Sequence, residues 1–337
     1  MAAPLYFRHE SSVEHDTGSH PESKARIPAI ENELEGRGWL GYECREAPSV
    51  EMAQLTRIHT AEHIEHIRSV AEGGGGWFDA DTVASPGSWG AALHSAGGAC
   101  ALVDSLMTRE APTGFVGTRP PGHHCERAKA MGFCLFNNVA VAARHALDSH
   151  GAERVVVFDW DVHHGNGTNA IFHASREVLY ISIHQLPLYP GSGQLRDVGS
   201  GDGEGYTLNL PVPPGAGEDV WLALVTHVVV PVIRAFEPGL VLVSAGFDAH
   251  RADPLAQCRL DTESFAKMGA HVRAVAGELS APFGGLLEGG YDLDALAQSV
   301  AATLAAFSNG ADPEEVDAED VTAQAIEVAG SYWPVAV

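Results

Sequence analysis

Four short segments of this chain place carboxylates, imidazoles and a phenol directly after apolar runs, in a pattern suited to hydrolysis at a metal ion. After RVVVF come Asp159-Trp160-Asp161-Val162-His163-His164-Gly165-Asn166. If the chain stays extended, Asp159, Asp161 and His163 share one side, with Trp160 and Val162 on the other. A carboxylate and an imidazole two residues apart can grip one ion from a strand end, although such a pair alone is a weak signal. A second carboxylate strengthens it: Asp248, in the Phe247-Asp248-Ala249-His250 that follows LVLVSAG. Asp161, His163 and Asp248 would give three protein ligands with open positions for water and substrate, as in a catalytic zinc rather than a closed structural one. Without a metal, the same groups would crowd ionisable side chains together, at a cost in desolvation and repulsion.

His123 and His124 follow Arg119-Pro120-Pro121-Gly122, whose prolines and glycine fix the preceding backbone. Imidazoles that are neutral near pH 7 suit general acid–base work, and each needs a partner on its second nitrogen. Asp159 and Asn166 are available. A carboxylate raises imidazole basicity more than an amide does, so the histidine on Asn166 should be the less basic of the two. Tyr291 ends Glu288-Gly289-Gly290-Tyr291, where glycines allow the loop to approach a site closely. Its phenol could donate to a developing oxyanion; the plainer reading is a tyrosine packed under a loop.

The elements that must position these groups alternate. Helices are expected from Pro28 to Gly36, Thr60 to Ala71, Ser88 (as cap) towards Met107, Asn138 to His150, Glu218 to Phe236 with a break at Pro231, Asp261 to Leu279, and Leu293 to Phe307. Short apolar runs at 114–118, 154–159, 178–184, 240–246 and 284–288 read as buried strands. This predicts an α/β fold, a parallel sheet flanked by helices on both faces, in one domain spanning residues 1–337. In such sheets ligands bind beyond the carboxyl ends of the strands, where the four segments lie.

Composition narrows the class. The 337 residues carry 20 Lys+Arg against 44 Asp+Glu, a net charge of −24, and no basic run, which argues against nucleic-acid binding. The longest uncharged apolar stretch, Val220 to Ile233, is 14 residues, short of the about 20 a membrane span needs. The start, MAAPLYFRHESS, lacks the marks of a signal peptide. Five scattered cysteines with no CxxC suggest reduced thiols and a cytoplasmic protein. The six acids between Asp312 and Asp320 read as an exposed turn or helix start.

Taken together, RPPGHH (119–124), GFCLFNN (132–138), DWDVHHGNGT (159–168), SAGFDAHRADPL (244–255) and LEGGY (287–291) resemble the histone deacetylase family of amidohydrolases, and HPESKARIPAI (20–30) is similar to its opening helix. The resemblance implies the arginase/deacetylase fold and zinc on Asp161, His163 and Asp248. It implies His123 paired with Asp159, His124 paired with Asn166, and Tyr291 polarising the substrate carbonyl. Phe133 and Tyr189 would wall a narrow acyl-lysine tunnel, with Gly132 near the amide and Leu255 at the mouth. A structural potassium ion would take Asp159, main-chain oxygens of Asp161 and His163, Ser182 and Ile183. Arg26 would line an inner cavity. Asn166 and LEGGY fit the class II-like branch, and Tyr189 fills a slot often held by Phe.

The expected reaction is hydrolysis of an acylated primary amine, N-acetyl-lysine in a peptide or protein first, with His124 favoured for acid–base work and His123 for electrostatic support. The runner-up is acetylpolyamine hydrolysis, in which an acidic gatekeeper would be expected at the slot that Leu255 occupies. A silent acyl-lysine-binding module is a third reading. A dimanganese ureohydrolase would need carboxylates at the positions of Gly165 and His250. The sequence leaves the oligomeric state, a homo-oligomer included, open.

Overall fold

A computed structural model of the protein describes residues 2–309, 312–314, 316–318 and 320–335. Its strands are β1 (Leu5–Arg8), β2 (Glu43–Glu46), β3 (Gly76–Trp77), β4 (Val83–Ala84), β5 (Thr113–Val116), β6 (Val155–Asp159), β7 (Val178–Gln185), β8 (Thr207–Val212), β9 (Leu240–Ala245) and β10 (Phe283–Leu287). Its α-helices are α1 (Ser11–Glu14), α2 (Arg26–Gly36), α3 (Met52–Leu55), α4 (Ala61–Glu72), α5 (Ser88–Met107), α6 (Asn138–His150), α7 (Asn166–Phe172), α8 (Glu218–Leu224), α9 (Val230–Phe236), α10 (Thr262–Leu279), α11 (Leu293–Asn309) and α12 (Asp320–Ala329).

Eight strands form one sheet in the order β2-β1-β5-β10-β9-β6-β7-β8, every pair parallel, and β3 and β4 make a separate two-residue hairpin. Parallel strands need crossover connections, and these place helices on both faces. In β6, Val156 and Phe158 enter the core on one face while Val155 and Val157 enter the core on the other. With both faces covered, the strand is apolar at four consecutive positions rather than at alternate ones, and all five of its residues, Asp159 at its end included, are buried.

The middle of the sheet decides where chemistry can sit. β5 and β6 are laid down first, and the chain later returns to fill the gap between them with β9 and β10. The loops after these four neighbouring strands therefore converge at one edge, though they come from distant parts of the sequence.

Several boundaries differ from expectation for physical reasons. Pro28 does not open its helix; α2 begins at Arg26, and Pro28 sits within the first turn, where its missing N–H costs no helical bond. Ser88 is the first helical residue rather than the cap, and its hydroxyl accepts from the Ser85 N–H instead. The break near Pro231 is a π-helical turn, Val225–Val229, just ahead of the proline. The ring would crowd the carbonyl of the preceding turn, and widening that turn relieves the clash. Glu218–Phe236 is 19 residues long and apolar enough to cross a membrane, yet more than half of it is buried inside the molecule, in the core with α10 and α12. β1, β2 and β8 are additions to the strands expected from sequence: β2 is a solvated edge strand, and β1 is four residues long. Of the acidic C-terminal run, Asp320 opens α12 and Asp312, Glu314 and Asp317 are exposed, while Glu315 and Glu319 lie outside the described residues.

Candidate metal and catalytic centre

The extended run ends at Asp159, so Asp161 and His163 are not aligned by strand alternation as expected. Each carboxylate instead braces the backbone two residues on: Asp161 N–H donates to Asp159 Oδ1 (3.1 Å) and His163 N–H to Asp161 Oδ1 (2.9 Å). These turns leave Trp160 and Val162 fully buried in the core and carry the polar side chains to the opposite side. Asp248 is held by the Val162 N–H on its Oδ1 (2.9 Å), and Gly289 N–H donates to Asp161 Oδ2 (2.8 Å). Nδ1 of His163 then lies 3.1 Å from both Asp161 Oδ1 and Asp248 Oδ2. One ligand atom from each of Asp161, His163 and Asp248 falls within 4.8 Å of the others.

That donor set suits a divalent ion. Burial opposes charge on His163, but Asp161 and Asp248 push its pKa up to about 10, so the pocket favours a positive charge at the point where the three groups meet. The remaining carboxylate oxygens are occupied by backbone N–H groups, which aims the other oxygens inward. At this centre, the two positions where a binuclear site would need further carboxylates hold Gly165 and His250 instead. A Cβ at Gly165 would collide with Asp159 Oδ2, and the His250 ring stacks on Phe265 while its Nδ1 accepts from the Ala252 N–H.

The paired histidines separate as the sequence reading expects. His123 Nδ1 meets Asp159 Oδ2 at 3.0 Å, and Tyr180 Oη donates to the same oxygen at 3.0 Å. Burial disfavours charge on His123, yet Asp159 and Asp161 hold its pKa well above the usual value. His124 Nδ1 donates to Asn166 Oδ1 at 2.8 Å, an orientation set by Asn166 Nδ2 donating to Glu126 Oε1 at 3.0 Å. Burial and the nearby His123 and His163 push the pKa of His124 well below the usual value. One imidazole is thus built to carry a second proton, its neighbour to stay neutral.

Tyr291 is fixed from three sides. Its N–H donates to Asp253 Oδ2 (2.7 Å), the Arg26 guanidinium lies 5.2 Å from its ring centroid, and Phe133 packs edge-on at 5.8 Å. Burial and Asp248 push its pKa well above that of free tyrosine, which keeps the phenol a proton donor. Arg26 does not face an open space alone; it donates to the main-chain oxygens of Gly290 (2.7 Å) and Glu288 (2.5 Å) and so clamps the loop that carries Tyr291.

A cavity of about 210 Å³ opens at these strand ends, lined by Asp81, His124, Gly132, Phe133, His163, Leu188, Tyr189, Leu255 and Tyr291. It holds the four tunnel residues expected from sequence. A larger hollow, about 520 Å³ beside α2, α10 and α11, contains no histidine and no cluster of this kind. Gly132 has φ +55, and a Cβ there would strike the His124 ring, so only glycine lets this wall close on the imidazole. His164 and His184 support the opposite wall. His164 Nδ1 pairs with Ser192 Oγ (2.8 Å) and His184 Nε2 with Gly193 O (2.8 Å), pinning the loop that carries Tyr189. Ser182 lies opposite Asp159 in strand register with Ile183 next along β7, while the Ser182 hydroxyl pairs with His184 Nδ1 (2.9 Å).

Two buried carboxylates escaped the sequence reading. Glu288 Oε2 accepts from Gly122 N–H (2.6 Å) and His123 N–H (3.1 Å), and its Oε1 accepts from Ser244 Oγ (3.2 Å). Glu22 pairs with Arg119 and with Arg26 Nη1 (3.2 Å), joining the loop before the histidines to the residue that clamps Tyr291. The signal for Glu288 was present: a charged residue directly on the end of the buried run Phe283–Leu287 must find partners there. Asp81 and Leu188 lie in loops without a comparable mark.

Comparison with known proteins agrees with this geometry. The profile of the histone deacetylase domain matches residues 20–307. The chain is 42% identical over 258 residues to a histone deacetylase-like amidohydrolase of Pseudomonas aeruginosa, covering 76% of this chain and 67% of that one. It is 40% identical over 307 residues to a probable deacetylase of Methanothermobacter thermautotrophicus, covering 90% and 89%. It is 40% identical over 315 residues to histone deacetylase 10, chloroplastic, of Oryza sativa subsp. japonica, covering 87% and 70%. The crystal structure of the HDA15 HD domain superimposes with a TM-score of 0.93 at 34% identity, covering 99% of this chain and 96% of that one.

Proposed function

Because this chain belongs to the histone deacetylase family, we propose that it hydrolyses N-acetyl-lysine in peptides or proteins to the free amine and acetate, with zinc held by Asp161, His163 and Asp248. The observation that carries this reading is the convergence of those three ligand atoms, the unlike histidine pair and Tyr291 on one narrow cavity. Zinc bound there would supply Lewis acidity for the acyl carbonyl and for water.

The protein's own groups supply the rest. His124, kept free of its second proton by burial and by its neighbours, takes a proton from the attacking water. His123, charged beside Asp159, stabilises the negative charge that builds up opposite it. Tyr291 donates its phenol hydrogen to the oxyanion of the tetrahedral species, and His124 returns the proton to the departing amine. Phe133 and Tyr189 flank the cavity with aromatic faces, which suits an extended alkyl chain and excludes water from its length. A potassium ion beside Asp159, Ser182 and Ile183 would offset part of the carboxylate charge at the strand ends.

One observation favours acetylpolyamines as a second substrate class: Asp81 lies at the cavity, in a chain of net charge −24, and both would attract a second cationic amine. Leu255 in the same lining favours the acetyl-lysine side chain. A reducing, cytoplasmic setting, in which thiols stay unpaired, is part of this proposal. The test is turnover of an acetyl-lysine peptide against acetylputrescine by the zinc-loaded protein, each repeated with a chelator. Chelator-sensitive turnover that favours the peptide is expected. Preference for acetylputrescine overturns the substrate assignment, and no turnover of either overturns the enzyme.

A further inference from the structure

A second group of metal-type ligands lies far from this centre. Asp104 on α5 and His145 and His150 on α6 converge, with Asp104 Oδ1 2.7 Å from Nε2 of each histidine. One ligand atom from each residue falls within 4.8 Å of the others. α6 begins beside the catalytic loop, where Asn138 Nδ2 donates to Pro120 O, and ends at His150. Thirteen residues of helix put that end about 18 Å from its start. We propose that Asp104, His145 and His150 form a binding site for a late first-row divalent cation such as zinc, which clamps α5 to α6.

Ligand chemistry supports this. Two imidazole nitrogens and one carboxylate oxygen are the donors that zinc, nickel and cobalt accept, with water completing the shell. The site has that access: the Asp104 side chain is 55% exposed, His150 19% and His145 9%. The scaffold is rigid, because two ligands share one helix and the third lies on a helix packed against it. The neighbouring cations do not take the carboxylate. Arg57 pairs with Asp148 at 3.3 Å and Arg144 with Asp148 at 2.5 Å, which leaves Asp104 to the histidines. Gln54 supplies the outer contact, its side-chain amide 3.3 Å from His145 Nδ1. Turned over, that amide presents its oxygen to an Nδ1–H, the tautomer a metal-bound imidazole requires. The Glu51 N–H it would release is at an exposed residue and can turn to water.

The test adds zinc ions to the holoenzyme and reads metal content and thermal unfolding, neither of which depends on turnover. His150→Ala sits at an exposed helix end, and Asp104→Asn keeps the shape of the side chain, so both are expected to fold. The wild type should hold one more zinc ion per chain than either variant. With free zinc at 100 times the dissociation constant, its folded-to-unfolded ratio should rise about 100-fold, a shift that both variants lose. Deacetylase turnover should match across the three proteins. Equal metal content in wild type and variants overturns the proposal, as does a thermal shift that survives in both.

Discussion

Replacing Glu288 tests how the histidine pair is held. Its carboxylate is fully buried and is the acceptor for two successive backbone N–H groups, those of Gly122 and His123. Glu288→Ala leaves both donors inside the protein without a partner. At about 1–3 kcal/mol for each orphaned buried donor, the loss is about 2–6 kcal/mol of stability. Because the two donors belong to the loop that aims His123 and His124, kcat should fall well beyond any change in KM. Glu288→Gln retains an acceptor oxygen of the same reach and should recover most of both properties. Urea unfolding of the zinc-loaded proteins, read beside kcat on an acetyl-lysine peptide, separates the variants. An alanine variant within about 1 kcal/mol of wild type and with undiminished kcat would refute the anchoring role.

Removing the Tyr291 hydroxyl with Tyr291→Phe should lower kcat by about 100- to 1,000-fold, as for other oxyanion donors, with little change in KM; near-full turnover would exclude the role. Gly132→Ala combines a positive φ with a collision against the His124 ring, so it should lose activity while its melting temperature falls, as melts and peptide turnover would show. Burial would raise the Glu22 carboxyl, but Arg119 and His15 hold it well below its ordinary 4.5. A depressed folded value contributes stability that is complete above the unfolded pKa and lost as pH falls through the folded one. Glu22→Gln should therefore melt lower than wild type at neutral pH and lose less on acidification, as thermal melts taken from neutral pH downward would show.

The strands that carry chemistry were legible because a central parallel strand is buried on both faces and announces itself as an unbroken apolar run. β6 and β9 were found that way, and the ligands followed from what stands after them. β2, with three of its four residues exposed, carries no such run. The conformation after β6 was hidden for a different reason. Whether Asp161 and His163 continue a strand or enter turns depends on Asp159 and Asp161 capping the N–H groups two residues ahead, a local competition that spacing alone does not decide. Gly132 is similar. Its need for glycine comes from the His124 ring, which only the folded chain brings to it. Glu22 and Arg119 are 97 positions apart and fully buried, so no local pattern links them.

The most direct test of the account is to titrate the metal-free protein with zinc while recording turnover of an acetyl-lysine peptide. Turnover should climb with the first equivalent and level off there, and Asp248→Asn should abolish both that binding step and the activity. Turnover that is already complete before zinc is added, or that survives in Asp248→Asn, would contradict it.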